Sequence, residues 1–593
     1  MGERIRLVDY VVNELLRAGV RHVFGVGGAN IEDLYDAVYA TAGRLRGVVA
    51  KHEFSAATMA DGCARCTGRL AVVAATSGGG AMNLVPGLAE AYASRVPVLA
   101  LVGQPPTGQQ GRGAFQDSSG LGGSFDARDV FAPVSRFCVR VDEPDAIVKA
   151  LPEAVAAALA EPRGPAVLLL PKDVQQAGVE VPTPPVAFAS AIPAVADPAV
   201  LARAAAVLAG ARTALIVAGE GVAAGGARDE LVALARRLGA WVAVTPDAKD
   251  VFDNADPAFA GVAGAMGHAN VAGCLGRAEV CVLVGTRLPV MARAGLEAAL
   301  AATPVVCLDP EPPFVPGLAV GGALRPALRG LLDRLPPGGR ACPPHAGPAP
   351  LAATTSARTA DARAVAGAGA VGGAGAVGGA GAVGGAGAVG AVAAALPPDA
   401  DVFVDAGNAG ATAIHLLPAP PRGRFVVAVG MGGMGYAFGA GIGAALASGR
   451  RTYVLAGDGA FLMHGLEVHT AVEYGAPVTF VIFNNNAHAM CVTRERLLYG
   501  DAYSYNLFHP VDIARGLAAA SARLPATAAD GPDELRAACE RSNATAGPAL
   551  VAVDLDPAEL PPFGPFLAAL GRPATAHTTT DEAEASGDRI HVG

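Results

Sequence analysis

The stretch LAGDGAFLMHGLEVHTAVEYGAPVTFVIFNNNAHAM, Leu455 to Met490, places a helical segment between two apolar, strand-like runs. The first run, Thr452 to Ala456, leads into an aspartate held between two glycines, Gly457-Asp458-Gly459. The second, Val478 to Phe483, ends in three asparagines, Asn484 to Asn486. Strand, helix and strand in that order predict a parallel pair, and ligands of a parallel sheet gather beyond the carboxyl ends of its strands. A carboxylate, an amide oxygen and a nearby backbone carbonyl suit Mg²⁺, which prefers oxygen and takes further ligands from phosphate and water. Gly457 and Gly459 let the backbone approach a phosphate closely. The local expectation is therefore a Mg²⁺–diphosphate site. Asp458 taken alone reads as no more than a turn residue.

The alternation of strand and helix extends through the chain of 593 residues, which is too long for a single core. Residues 1–178 contain HVFGVGG, LAVVAATSGGG, VPVLALVG and PAVLLLP, each a strand ending in turn residues. A Pro/Ala stretch near 180–197 separates them from a second unit over 193–338, with strands TALIVAG, AWVAVT, VCVLVGT and PVVCLD. Residues 339–392 are Pro/Ala-rich and then run into GAVGGAGAVGGAGAVGGAGAVG, a six-residue repeat carrying Val371, Val377, Val383 and Val389. Glycine costs a helix about 1 kcal/mol per residue. The repeat therefore reads as a flexible surface tether rather than a membrane span. A third unit covers 393–571, and the polar tail 572–593 is expected to be disordered. The fold class is α/β, with three doubly wound parallel-sheet domains.

Composition narrows the function. The net charge of −9, with no Lys/Arg run, argues against a nucleic-acid surface. A hydrophobic fraction of 52% and a mean hydropathy of +0.39 are inflated by Ala and Gly and do not imply a membrane protein. Nine cysteines without framework spacing suggest reduced thiols and a cytoplasmic location. Cys63 and Cys66 form a lone CxxC within an Ala-rich helical pattern, better read as a helix face than as a zinc site. The N-terminus is charged and lacks the apolar core of a signal peptide.

A rival motif lies upstream. VGMGGMGYAFG contains GxGxxG at Gly430, Gly432 and Gly435, follows the strand RFVVAV and precedes a helix, with Asp458 ending the next strand. That is the arrangement of a dinucleotide fingerprint, so an NAD-binding oxidoreductase is the alternative of a different class. It leaves Gly459, Asn484 and Asn485 unused and gives the first domain no role.

GDG followed at this distance by NN resembles the thiamine diphosphate motif. VFGVGGANIEDLYDAV, KHEFSAATMADGCARCTG, TSGGGAMNLVPGLAEAYASRVPVLALVG and GAFQD resemble, in order, the pyrimidine-binding domain of the acetolactate synthase-like (pyruvate oxidase/decarboxylase) family. The resemblance implies a pyrimidine-binding, a middle and a diphosphate-binding domain. It also implies thiamine diphosphate and Mg²⁺ as cofactors. Glu53 aligns with the glutamate that hydrogen-bonds the aminopyrimidine ring and so helps create a base beside C2. Asp458 and Asn485 align with the metal ligands, and Ala487 with a backbone-oxygen ligand. Gly457 flanks Asp458, while Gly459 and Ala460 would offer N–H groups to diphosphate. Gly407 and Asn408 lie where the family also contacts it, and Met434 aligns with the apolar wedge under the bent cofactor. His488 is read as a local acid/base group beside the cofactor, with a satisfied loop histidine as the alternative.

Departures from the family pattern shape the expected reaction. Pyruvate decarboxylases carry an adjacent His pair in the first domain and a Glu after the NN; here GQPPTGQQGRGAFQD has no His, and Cys491 holds the second place. Phe115 and Gln116 instead resemble the acetolactate synthase group. The tryptophan with which that group selects its second keto acid has no match, since Trp241 is the only one in the chain. The expected activity is a carboligase that decarboxylates a pyruvate-like 2-keto acid and passes the acyl carbanion to an acceptor carbonyl, with Glu53, Gln116 and His488 as catalytic residues. A decarboxylase releasing an aldehyde is the alternative. FAD is not expected, because VGTRLPVMARAG replaces the family's acidic-basic run and the segment after LDPEPP looks shortened. The family shares its sites between subunits, so a homodimer or homotetramer is implied.

Overall fold

The computed structural model describes residues 4–184, 186, 188, 194–348, 383–500, 504–557 and 559–561. The expected tail 572–593 and most of the repeat lie outside the described residues. Three six-stranded sheets are present, parallel throughout, and each is flanked by helices as expected. The first runs, in spatial order, Arg46–Val49, His22–Gly25, Ala71–Ala75, Val98–Gln104, Ala166–Pro171, Phe137–Arg140. The third runs Phe425–Val427, Asp401–Val404, Thr452–Gly457, Val478–Asn484, Ala549–Asp554, Ala526–Ala529. Numbered by appearance in the chain, both have the order 2-1-3-4-6-5, whereas the middle sheet runs 3-2-1-4-5-6 from Phe259–Val262 to Leu318–Val320.

These topologies locate the clefts. In an open parallel sheet the crevice opens where the strand order reverses, beyond the carboxyl ends. In the third sheet that point lies between Asp401–Val404 and Thr452–Gly457, so the segments starting at Asp405 and Asp458 face each other across it. In the first sheet it lies between His22–Gly25 and Ala71–Ala75, opposite the segment starting at Thr76. The strands read as unbroken apolar runs because helices cover both faces; every residue of Val478–Asn484 is buried.

The first and third domains are joined through a close helix crossing. Glu53–Thr67 packs on Tyr436–Ser448, and a Cβ on Gly62 would lie 2.0 Å from the Ala440 carbonyl oxygen, one on Gly443 2.0 Å from that of Met59. The glycines of YAFGAGIGAALAS thus bring two backbones together, which offsets their cost to helix propensity. Arg424 ties the same region to the middle domain. It pairs with Glu220 at 2.7 Å and Asp250 at 2.6 Å, and donates to the Arg65 carbonyl.

The segment 339–392 departs from the expected linker at both ends. Residues 339–348 lie on the middle domain, where Trp241 Nε1 donates to the Pro343 carbonyl at 2.9 Å. The last repeat unit, together with residues 391–395, forms the helix Gly385–Ala395, with Ala388, Val389 and Val392 buried in a cluster with Leu535, Ala538 and Cys539. Its first N–H groups need partners outside the helix, and Gly385 N–H donates to Glu559 at 2.6 Å. Tertiary burial has overridden glycine's poor propensity, as it does for most protein helices. Val389→Asp should therefore destabilise the chain by about 3 kcal/mol, because it buries an unpaired carboxylate. Urea denaturation followed by circular dichroism checks this, and an unchanged midpoint would mean that the helix is not docked. Among the described residues, no helix is long and apolar enough to cross a membrane.

Candidate active site

Asp458 opens the helix Asp458–His464 directly after its strand and is buried. Its carboxylate faces the asparagine loop, accepting from the N–H of Asn485 at 3.3 Å and of Ala487 at 3.0 Å. Burial pushes its pKa up to about 6, against the pull of these amides. The three asparagines do different things. Asn484 anchors the strand end, donating to Asp554 at 2.8 Å and to the Val511 carbonyl at 3.2 Å. Asn486 turns the chain in a left-handed conformation, φ 51°, and accepts from Val511 N–H at 3.1 Å. Asn485 Oδ1 is buried and has no hydrogen-bond partner. A buried amide oxygen without a partner is costly, and the same residue's N–H is bonded to the buried Asp458 carboxylate. The pair fits a divalent cation. Among the described residues no three His, Cys, Asp or Glu side chains cluster to hold a metal, so a cation here must draw further ligands from neutral oxygens and phosphate.

The surrounding cradle is built from small residues. A Cβ on Gly459 would lie 2.4 Å from His488 Cδ2 and 3.2 Å from Met434 Cε, so both side chains converge on the start of this helix. The His488 ring rests edge-on against Phe508 at 4.7 Å. Ala460 and Ala487 are buried, and Gly457 is half-buried. Across the crevice Gly407, φ 116°, starts the helix Asn408–Leu416. Asn408 donates to Thr493 Oγ1 at 3.2 Å, and its buried Oδ1 is without a partner.

The GxGxxG loop is already committed. Gly430 and Met431 N–H donate to Glu90 at 3.2 and 2.6 Å. Gly435 and Ala437 N–H each donate to Asp405 at 2.9 Å. A dinucleotide fingerprint needs such amides free for pyrophosphate, and here carboxylates occupy those of Gly430, Met431, Gly435 and Ala437. The Asp458 carboxylate is likewise engaged with the asparagine loop rather than turned to a ribose. The glycines serve the loop that presents Met434.

The first domain contributes a second cluster. Glu53 opens its helix, with Oε2 accepting from Asn83 at 2.9 Å. The turn Gly78-Gly79-Gly80 packs tightly around it: a Cβ on Gly80 would lie 3.0 Å from Glu53 Oε1 and 2.9 Å from Thr76 Cγ2, and one on Gly78 2.8 Å from Gln116 Cβ. Glu53 and Gln116 therefore border the same turn. This end of the helix also touches the third domain of the same chain. The Phe54 and His464 rings lie 4.5 Å apart, and Lys51 N–H donates to Glu467 at 3.0 Å. Burial and the nearby His52 lower the His464 pKa to about 4.

Sequence reasoning passed over Asp405, Glu90, Asn83, Thr76 and Glu467. Asp405 carried a usable signal, since it ends its strand just as Asp458 does. The others are polar residues whose partners lie on separate elements, and nothing local marks them.

Comparison with known proteins matches the three domains. Residues 5–121 match the thiamine pyrophosphate enzyme N-terminal TPP binding domain, 201–319 the central domain and 405–553 the C-terminal TPP binding domain. The chain belongs to the thiamine pyrophosphate enzymes, catalysts of carbon–carbon bond chemistry, and carries their three domains in order. Within that class it is acetolactate synthase-like. It is 27% identical over 569 residues to a probable acetolactate synthase large subunit of Methanocaldococcus jannaschii, covering 94% of this chain and 93% of that one. It is 28% identical to an acetolactate synthase of Arthrospira platensis, covering 83% and 84%, and 26% identical to the acetolactate synthase isozyme 1 large subunit of Escherichia coli, covering 84% of each.

Proposed function

We propose that the chain is a thiamine diphosphate- and Mg²⁺-dependent carboligase that decarboxylates a pyruvate-like 2-keto acid and joins the acyl unit to an acceptor carbonyl. The carrying observation is the Gly78–Gly80 turn, which has the Glu53 carboxylate against one end and the Gln116 side chain against the other. Phe115 is exposed next to it, and no histidine lies between Gly103 and Asp117. Such a border offers a hydrogen bond to a second carbonyl and, over Gly103–Asp117, no histidine to release an aldehyde.

When bound, thiamine diphosphate supplies the carbon acid on which such chemistry depends. In this reading Asp458, Asn485 Oδ1 and the Ala487 carbonyl hold Mg²⁺; Gly459 and Ala460 N–H groups, with Gly457, Gly407 and Asn408, hold the diphosphate; and Met434 supports the ring system. Glu53 accepts a hydrogen bond from the pyrimidine, with Asn83 fixing its other oxygen. FAD is given no role. At the strand ends of the middle sheet Asp309 and Glu311 are taken up by Arg95 at 2.9 and 2.5 Å. A homodimer or homotetramer is proposed, supported by the exposed Leu462, Met463, Leu466 and Met431 flanking the cleft elements. The large-subunit names of relatives point to a smaller partner chain as well.

The test is incubation with pyruvate, alone and with aldehyde or ketone acceptors, and quantification of products by mass spectrometry. Ligation products that rise with acceptor concentration are expected. Acetaldehyde dominating with every acceptor would make the chain a decarboxylase, and His488, poised over Gly459, would then be the proton donor to examine.

A further inference from the structure

Thr76 opens the TSGGG stretch and sits in the first-domain cluster, yet the family resemblance gave it no role. It follows the strand Ala71–Ala75 at the point where the sheet order reverses, and it is buried. Glycines enclose it: a Cβ on Gly28 would lie 2.7 Å from Thr76 Cβ, and one on Gly80 2.9 Å from its Cγ2. A side chain at either glycine would press on Thr76, so both positions keep it where it is.

The hydroxyl is used twice. It accepts from the Asn30 N–H at 3.2 Å and donates to Gln116 Oε1 at 3.2 Å. Asn30 is itself held, its Nδ2 donating to Ser77 Oγ at 2.8 Å. A hydroxyl has one proton. That proton goes to the Gln116 carbonyl oxygen, which leaves the two Nε2 hydrogens for a bound molecule. Gln116 has φ 60°, a conformation that a side-chain-bearing residue adopts only when its surroundings impose it, and Gly78 packs against its Cβ. Backbone strain and the hydroxyl together fix both the place and the polarity of the amide.

We propose that Thr76 is a positioning residue that orients Gln116 to donate to the acceptor carbonyl, and so sets the partition between carbon–carbon bond formation and aldehyde release. The inference rests on the carboligase reading. In ligation the donor loses carbon dioxide, and the electron pair of the broken bond forms the new carbon–carbon bond. The acceptor's C=O π pair then moves onto its oxygen, which takes one proton from solvent, so no oxidant or reductant is needed. A donor aimed at that oxygen favours this outcome; an amide turned the other way presents a lone pair and repels it.

The experiment compares wild type, Thr76→Val and Thr76→Ser in the full-length chain loaded with thiamine diphosphate and Mg²⁺, given pyruvate and an acceptor aldehyde. Thr76→Val should raise the KM for the acceptor and lower the ratio of ligation product to acetaldehyde by about tenfold, the scale of one lost oriented hydrogen bond. Exchange of the cofactor's C2 proton should stay unchanged. Thr76→Ser, which keeps the hydroxyl, should restore the ratio. In a Gln116→Leu background Thr76→Val should have no further effect on the ratio, since the two act as one unit. Thr76→Ala is the substitute if the valine variant does not fold. A wild-type ratio in Thr76→Val or its substitute overturns the proposal, as does an equal further loss in the Gln116→Leu background. A wild type that makes only acetaldehyde overturns the carboligase reading and this proposal with it, and the wild-type arm tells the two failures apart.

Discussion

Replacing Glu53 by Gln is expected to slow exchange of the C2 proton of bound thiamine diphosphate by about 10²–10⁴-fold, the usual weight of acid–base assistance. Cofactor affinity should change little. The reason lies in the two carboxylate oxygens. Oε2 accepts from Asn83 Nδ2 at 2.9 Å, while Oε1 faces the missing side chain of Gly80. A glutamine of the same shape would keep its carbonyl oxygen on Asn83, because that donor demands an acceptor, and would present its NH₂ on the other side. A donor would then stand where the pyrimidine needs an acceptor. Proton NMR in deuterated buffer measures the exchange directly. A rate equal to wild type would remove Glu53 from the activation step, whatever the overall turnover.

The parts of this site that were legible in the sequence share one property: their meaning is local. Asp458 and Asn485 end neighbouring strands, and a strand's carboxyl end has a fixed place in a parallel sheet, so their proximity follows from the pattern of apolar runs alone. The three-sheet architecture follows from the same alternation. The hidden parts depend on pairings across the chain. Glu90 and Asp405 close the GxGxxG loop from two different domains, and no spacing in VGMGGMGYAFG announces that its amides are spoken for. The motif therefore looked like a dinucleotide loop until its partners were seen. Thr76 is similar, since only the fold brings Asn30 and Gln116 to its hydroxyl. The helix Gly385–Ala395 was hidden for a different reason. Its glycine content argues against a helix, and the burial of Val389 and Val392 that decides the matter is a property of the third domain, not of the repeat.

Asp458→Ala should abolish Mg²⁺-dependent retention of thiamine diphosphate. Two effects act together. The substitution removes the carboxylate at the proposed metal position, leaving Asn485 and a backbone carbonyl, which are neutral, to hold a divalent ion. It also leaves the N–H groups of Asn485 and Ala487 without their acceptor, so the asparagine loop loses one of its anchors. Even disturbance of groups around a metal's ligands costs about 10–100-fold in affinity, and loss of the charged ligand itself should exceed that range. Asp458→Asn separates the two contributions. The amide oxygen can still accept from one of the loop amides, so the loop stays better ordered, but the charge is gone and Mg²⁺ should still fail to retain the cofactor. Calorimetric titration of thiamine diphosphate with and without Mg²⁺, on wild type and both variants, reads this out without any turnover. Equal Mg²⁺ dependence in wild type and Asp458→Ala would place the metal elsewhere. Binding of NAD with no binding of thiamine diphosphate by the wild-type chain would sink the metal–diphosphate reading altogether.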